Sequence, residues 1–130
     1  MLFNQTITIY NRYKDNGVDK WKRTVLRGVQ VSPTNDKVID NNGVLRHISG
    51  VSITIPVRGG YKAPVNYEGK GFTFGLDNLD IVTLGICNKE ITANYSITRL
   101  LRERPDTWTI KGVNDNTGRN CLKHWKVIAE

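Results

Sequence analysis

Val51, Ile53 and Ile55 alternate with Ser52, Thr54 and Pro56. A period of two puts the three β-branched side chains on one face of a strand, and no helix places them together. Val51, Ile53 and Ile55 are therefore expected to face a core. Pro56 cannot donate to a ladder, so that end is expected at an edge or a sheet terminus. The same period opens the chain: Ile7 and Ile9 face one way and Thr6, Thr8 and Tyr10 the other, as in a half-buried strand. Lys14-Asp15-Asn16-Gly17 follows, and Asn-Gly between two strand-like runs is a hairpin signal. The return strand runs from Trp21 to Val31. Strict alternation puts Trp21, Val25, Val29 and Val31 on one face with Arg23 and Arg27, and Lys22, Thr24 and Gln30 on the other.

Residues 32–43 hold Pro33, Thr34-Asn35-Asp36 and Asp40-Asn41-Asn42-Gly43, which is loop chemistry. Residues 58–71 are the most irregular stretch, with Gly59-Gly60, Pro64, Gly69 and Gly71 among Arg58, Lys62, Lys70, Tyr61 and Tyr67. A loop of that length is functional or disordered more often than not, and it is expected to lie outside the core and to be mobile. Strand character returns from Leu79 to Ile86. Ser96 is an acceptable N-cap for a short helix whose stripe is Ile97, Leu100 and Leu101, stopped by Pro105. Residues 107–111 read as strand, Asn114-Asp115-Asn116-Thr117-Gly118 as a turn, and residues 124–129 as a closing strand. About six or seven short strands and one short helix, joined by long loops, make an all-β fold. That fold is a small β-barrel or a sandwich-like barrel, and spacing alone does not choose between them.

The chain's 130 residues suit one domain over 1–130. Nineteen Lys and Arg against 12 Asp and Glu give a net charge of +7, with no run long enough to be a basic tail. A charge of that sign suits a polyanionic partner or simply a basic soluble surface. The opening residues have no charged and then apolar signal-peptide pattern, and no apolar stretch approaches the ~18 residues that span a bilayer. No membrane partner is expected.

The search for chemistry returns little. His47, His124, Cys87 and Cys121 would satisfy zinc's preference in ligands, but their spacings match no paired-ligand rule, and no metal or other cofactor is expected. Asp77, Asp80 and Glu90 are conceivable as a metal-binding carboxylate set. Asp77-Asn78-Leu79-Asp80 reads better as a turn entering a strand. No nucleotide-binding or hydrolase motif occurs, so no enzyme is expected. Tyr10, Tyr13, Trp21, Tyr61, Tyr67, Phe72 and Phe74 lie among Lys and Arg, a pattern that an oligonucleotide-binding barrel uses for base stacking. A nucleic-acid-binding module of that type is the second reading.

Several segments together resemble the head-closure (stopper) and head–tail joining proteins of long-tailed bacteriophages. They are Ile7-Thr8-Ile9-Tyr10-Asn11 with the hairpin through Trp21 and Val25, the run 50–56, the run 78–86, and Val113-Asn114-Asp115-Asn116 followed by His124-Trp125-Lys126-Val127. The order of hairpin, long loop, strand, long loop, strand, exposed segment and final strands matches across nearly the whole chain. The helix at residues 97–104 departs from the shorter joining proteins and leaves the neck layer open among adaptor, head closure and tail completion. The resemblance implies a structural virion protein, assembled in the host bacterial cytoplasm. It would form a homo-oligomeric ring between portal or adaptor and tail proteins, closing the filled head and docking the tail. Packaged double-stranded DNA would pass through the lumen. On that reading Arg58, Lys62 and Lys70 are candidates to face DNA, because attraction to phosphate needs no sequence. Tyr61, Tyr67 and Trp125 are the candidates for contacts between subunits.

Overall fold

The computed structural model describes residues 4–39, 42–43, 45–63, 67–74, 80–92, 94–116, 118 and 123–130, and for 34–39, 45–49 and 116 the backbone alone. Six strands and one helix follow in chain order: β1 (Gln5–Asp15), β2 (Val18–Ile39), β3 (Leu45–Pro56), β4 (Ile81–Leu84), α1 (Ile97–Glu103), β5 (Thr107–Asn116) and β6 (His124–Ala129). They close an antiparallel barrel in the order β1-β2-β3-β6-β5-β4. The expected all-β fold with one short helix is thus a closed barrel.

Two strands turn its corners. β2 pairs with β1 as far as Val29 and with β3 from Gln30 onward. β5 pairs with β4 through Thr109 and with β6 from Ile110 onward. Strands that change sheets at a bulge are how two sheets join into one closed wall. At the β2 corner the extra residue is Gly28, whose φ of 73° is open to glycine and costly for a residue with a Cβ. The bulge reverses the faces. Leu26 and Val29 are both buried, and Val29 joins Val31 on the inner side. Trp21 and Val25, part-buried, lie on the outer side before the bulge. The shared face expected for Trp21, Val25, Val29 and Val31 is therefore split at Gly28.

Val51, Ile53 and Ile55 point inward, at 4%, 1% and 0% exposure. Ile7, Ile9, Val82, Ile110, Trp125 and Val127 complete much of the same core. β1 is buried on both faces rather than half-buried, because residues 85–92 and 94–104 pass over its outer side. Tyr10, Ile81, Cys87 and Leu100 form a second core there. Ser96 caps α1, its Oγ accepting from the Arg99 N–H at 3.2 Å. Leu100 carries the buried contact of the expected stripe, whereas Leu101 stays exposed.

Three expectations are corrected. The loop expected at 32–43 is strand as far as Ile39, paired from Ile39↔Leu45 to Gln30↔Thr54. Pro33 is tolerated because β1 has already left that side of β2. The turn expected at 114–118 gives way to β5, which runs on to Asn116; Thr117 lies outside the described residues. Third, the stretch expected wholly outside the core, 58–71, reaches it at Tyr61, which packs against the core, and leads directly into the core residues Phe72 and Phe74. Pro64, Asp77, Asn78, Leu79 and Cys121 lie outside the described residues.

Ile53→Asp places an unpaired charge in this core, where Ile53 is buried, at a cost of several kcal/mol, comparable with the whole stability of a small domain. The expected outcome is loss of the cooperative thermal transition by circular dichroism. An unchanged melting temperature would remove Ile53 from the core.

Candidate nucleic-acid interface

The end of the barrel where β1, β3 and β5 finish is sealed by a buried polar knot. The Asn11 Nδ2 donates to the Thr73 carbonyl at 2.6 Å and to Asp80 Oδ2 at 2.9 Å. Its Oδ1 accepts from the Thr73 N–H at 3.1 Å. The other Asp80 oxygen accepts from the Arg12 N–H at 3.0 Å. The knot fixes where residues 72–74 return beside Gly60 and Lys62. Phe72 N–H donates to the Gly60 carbonyl and Lys62 N–H to the Phe72 carbonyl, both at 2.9 Å. Gly71 makes that crossing possible: its φ is 75°, and a Cβ there would sit 2.0 Å from the Gly60 oxygen.

The closure is aromatic inside. Tyr61 stacks on Trp125 with centroids 4.7 Å apart, and Phe72 and Phe74 pack around the pair. Trp125 is 4% exposed and is a core residue in the single subunit. Of the three subunit-contact candidates, only Tyr61 and Tyr67 keep accessible surface. Tyr67 donates to the Gly71 carbonyl at 3.0 Å and meets Tyr13 edge-on at 6.3 Å. Burial, reinforced by Asp80 and then Tyr13, pushes the Tyr67 phenol far above its usual pKa, so it is a neutral donor at every ordinary pH.

Outside the closure is cationic. One shallow groove is lined by Arg12, Tyr13, Lys14, Tyr67 and Glu68, and a second by Tyr61, Lys62, Ala63, Glu68 and Lys70. The grooves meet at Glu68. Arg12, Lys14, Lys62 and Lys70 have no ion-pair partner among the described residues, where the pairs are Lys20–Asp15, Arg23–Glu90 and Arg99–Glu103. Four cations, three tyrosines and one acid thus share a continuous surface. Lys62 and Lys70 were legible in the sequence. Arg12 and Lys14 were missed, although they sit on one face of β1 two residues apart.

Arg58 is not part of this surface. Its guanidinium donates to the carbonyls of Pro56 (3.2 Å), Gly28 (3.4 Å) and Arg27, gripping the β2 bulge. Burial pulls its pKa down from the usual guanidinium value. Arg58 is a clamp on the corner that closes the barrel.

The other chemical candidates are dispersed. Asp80 is inside the knot, while Glu90 is on the surface, paired with Arg23 at 2.9 Å. Cys87 is buried in the outer core. Among the described residues no three of His, Cys, Asp and Glu come together to hold a metal. Tyr10, Phe72 and Phe74 are buried and so closed to stacking with a base.

Residues 2–130 match the family model described as a family of unknown function, DUF6751. No curated protein and no solved structure matches the chain.

Gly71→Ala forces the crossing at Gly60 apart and should cost roughly 1–3 kcal/mol, as for other residues forced into a glycine-only backbone region. The expected outcome is a weakened near-ultraviolet circular dichroism signal, as Tyr61 leaves Trp125, with the far-ultraviolet strand signal retained. An unchanged near-ultraviolet spectrum would show that the crossing is not what holds the closure.

Proposed function

The chain belongs to DUF6751, a family of unknown function, and we propose that it is a structural protein of the bacteriophage neck. In this reading it assembles as a ring between the portal or adaptor and the tail, closes the DNA-filled head and docks the tail. The observation that carries the reading is the surface over the sealed barrel end. Arg12, Lys14, Lys62 and Lys70 stand there beside Tyr13, Tyr61 and Tyr67, with Glu68 as the acid that lines both grooves. Such a surface attracts phosphate without reading sequence, which suits a ring whose opening packaged DNA passes. It is shallow and lies on a rigid closure, and it frames no enclosed cavity for a small substrate. The resemblance of the strand and loop order to head-closure and joining proteins supplies the neck as the setting.

Two measurements test the reading separately. Mass spectrometry of gradient-purified particles induced from the strain that encodes the chain should find it in intact virions. Its absence from them would end the neck assignment. Titration with double-stranded DNA should show weak binding that falls steeply with salt. Replacing Arg12, Lys14, Lys62 and Lys70 by alanine should flatten the plot of log K against log salt by about 0.9 for each phosphate that is no longer neutralised. An unchanged slope would show that this surface does not meet phosphate.

A further inference from the structure

At the end of the barrel opposite the closure, β2 and β3 run on as a two-stranded ribbon. Among the described residues, 34–39 and 45–50 pair only with each other. Six residues per strand make it about 20 Å long. The side to which each backbone group points follows from two hydrogen bonds. Val31 N–H donates to the Gln5 Oε1 at 2.8 Å, away from β3. Alternation then turns the backbone groups of Pro33, Asn35, Lys37 and Ile39 to that same outer side. Pro33 therefore removes no bond from the β2–β3 ladder. Likewise Val57 N–H donates to the Lys123 carbonyl at 3.1 Å, which turns the backbone groups of odd-numbered β3 residues toward β6. β6 pairs with β3 only up to Val51↔Ala129. Glu130 then exchanges two bonds of 2.9 Å with Thr109 of β5. The backbone groups of Leu45, His47 and Ser49 face a side with no strand among the described residues.

The contrast with the other hairpin is informative. Where β1 overruns β4, the Arg12 N–H is capped by Asp80 and the ribbon is flanked by Tyr67 and by Ile91 and Ile97. A bare two-stranded ribbon is marginal in water, and open edges are normally covered.

We propose that the β3 edge of this ribbon, at Leu45, His47 and Ser49, adds to the β2 edge, at Asn35, Lys37 and Ile39, of a second copy of the chain. The two edges are complementary by symmetry. Where the ribbons run along the axis of a ring, rotation about that axis leaves every β2 parallel to every other β2. The β3 of one copy is then antiparallel to the β2 of the next, as it is to its own. Each copy offers one edge of each kind, so the contact is head-to-tail and is completed only when a ring closes. This inference takes the ring from the proposed function but not its phage setting; it needs a rotationally symmetric ring with the ribbons along its axis.

Lys37→Pro tests it, because it deletes an N–H of the outer edge and leaves the subunit's own ladder intact. Lys37→Ala is the control for loss of the side chain. In analytical ultracentrifugation over a rising concentration series the wild type and Lys37→Ala should form one closed species of uniform size. Lys37→Pro should stay monomeric, with each contact weakened about tenfold or more and with the melting temperature of Lys37→Ala. Wild-type chain that stays monomeric up to millimolar concentration would overturn the proposal, as would assembly that stops at dimers. Lys37→Pro that assembles like the wild type would also overturn it. Unfolding of Lys37→Pro would show that the Lys37 N–H faces β3 and would overturn the edge assignment itself.

Discussion

The Asn11 side chain ties together segments 62 and 69 residues away in sequence, and both the sealed end and the surface over it depend on that tie. It uses both amide protons and its oxygen on Thr73 and Asp80, and Asp80 spends its second oxygen on the Arg12 N–H. Asn11 and Asp80 are both fully buried. A buried carboxylate or amide left without partners costs more than its bonds return, so such a knot is worth keeping only when complete. Completeness then has a structural consequence: it fixes where residues 72–74 cross β1, and with them Phe72 and Phe74 under Tyr61. The cations at Lys62 and Lys70 are thereby set beside Arg12 and Lys14 on one surface.

Local rules made some of this architecture readable and hid the rest. The hairpin at Asn16-Gly17, the inward set Val51, Ile53 and Ile55, the Ser96 cap and the closing strand at 124–129 depend on neighbours a few residues away, and the structure places them as their patterns require. What was misread depends on distant partners. The face of Val29 depends on a bulge at Gly28 that closes a corner. The strand through Pro33 depends on β1 having ended at Gln5. The burial of Tyr10 depends on a covering segment some 80 residues on, whose Lys89 carbonyl accepts the phenol at 2.6 Å. Polar residues such as Asn35 and Asp36 look like loop because propensity is a weak prior once a neighbouring strand supplies the hydrogen bonds.

The candidate surface was half legible for the same reason. Lys62 and Lys70 stood out because a glycine-rich stretch with cations reads as exposed. Arg58 looked identical in sequence, yet the Gly28 bulge leaves carbonyls without ladder partners and the nearest guanidinium is drawn in to satisfy them. Arg12 and Lys14 looked like ordinary outward residues of a strand. Only the placement of residues 67–70 against the β1–β2 hairpin makes them neighbours of the loop lysines.

The two ends of the barrel are built on opposite principles. At the closure, overrunning backbone is capped by a side chain, Asp80 on Arg12, and then covered by Tyr67 and its neighbours. At the ribbon, Gln5 caps Val31 and Pro33 blunts the next position, after which no described residue pairs with the edge. Capping the root of an edge while leaving its outer part bare restricts pairing to the outer part, where it cannot compete with the β1–β2 ladder that closes the barrel. A subunit with that arrangement can add a neighbour's strand without unzipping its own wall. The cationic surface, at the far end, would be left unobstructed by such a contact. A ring joined through the ribbons would therefore present its cationic ends together, and phosphate would meet a repeated surface rather than a single one. Weak contacts of a few cations per copy become effective when copies are linked, because each additional engagement is intramolecular.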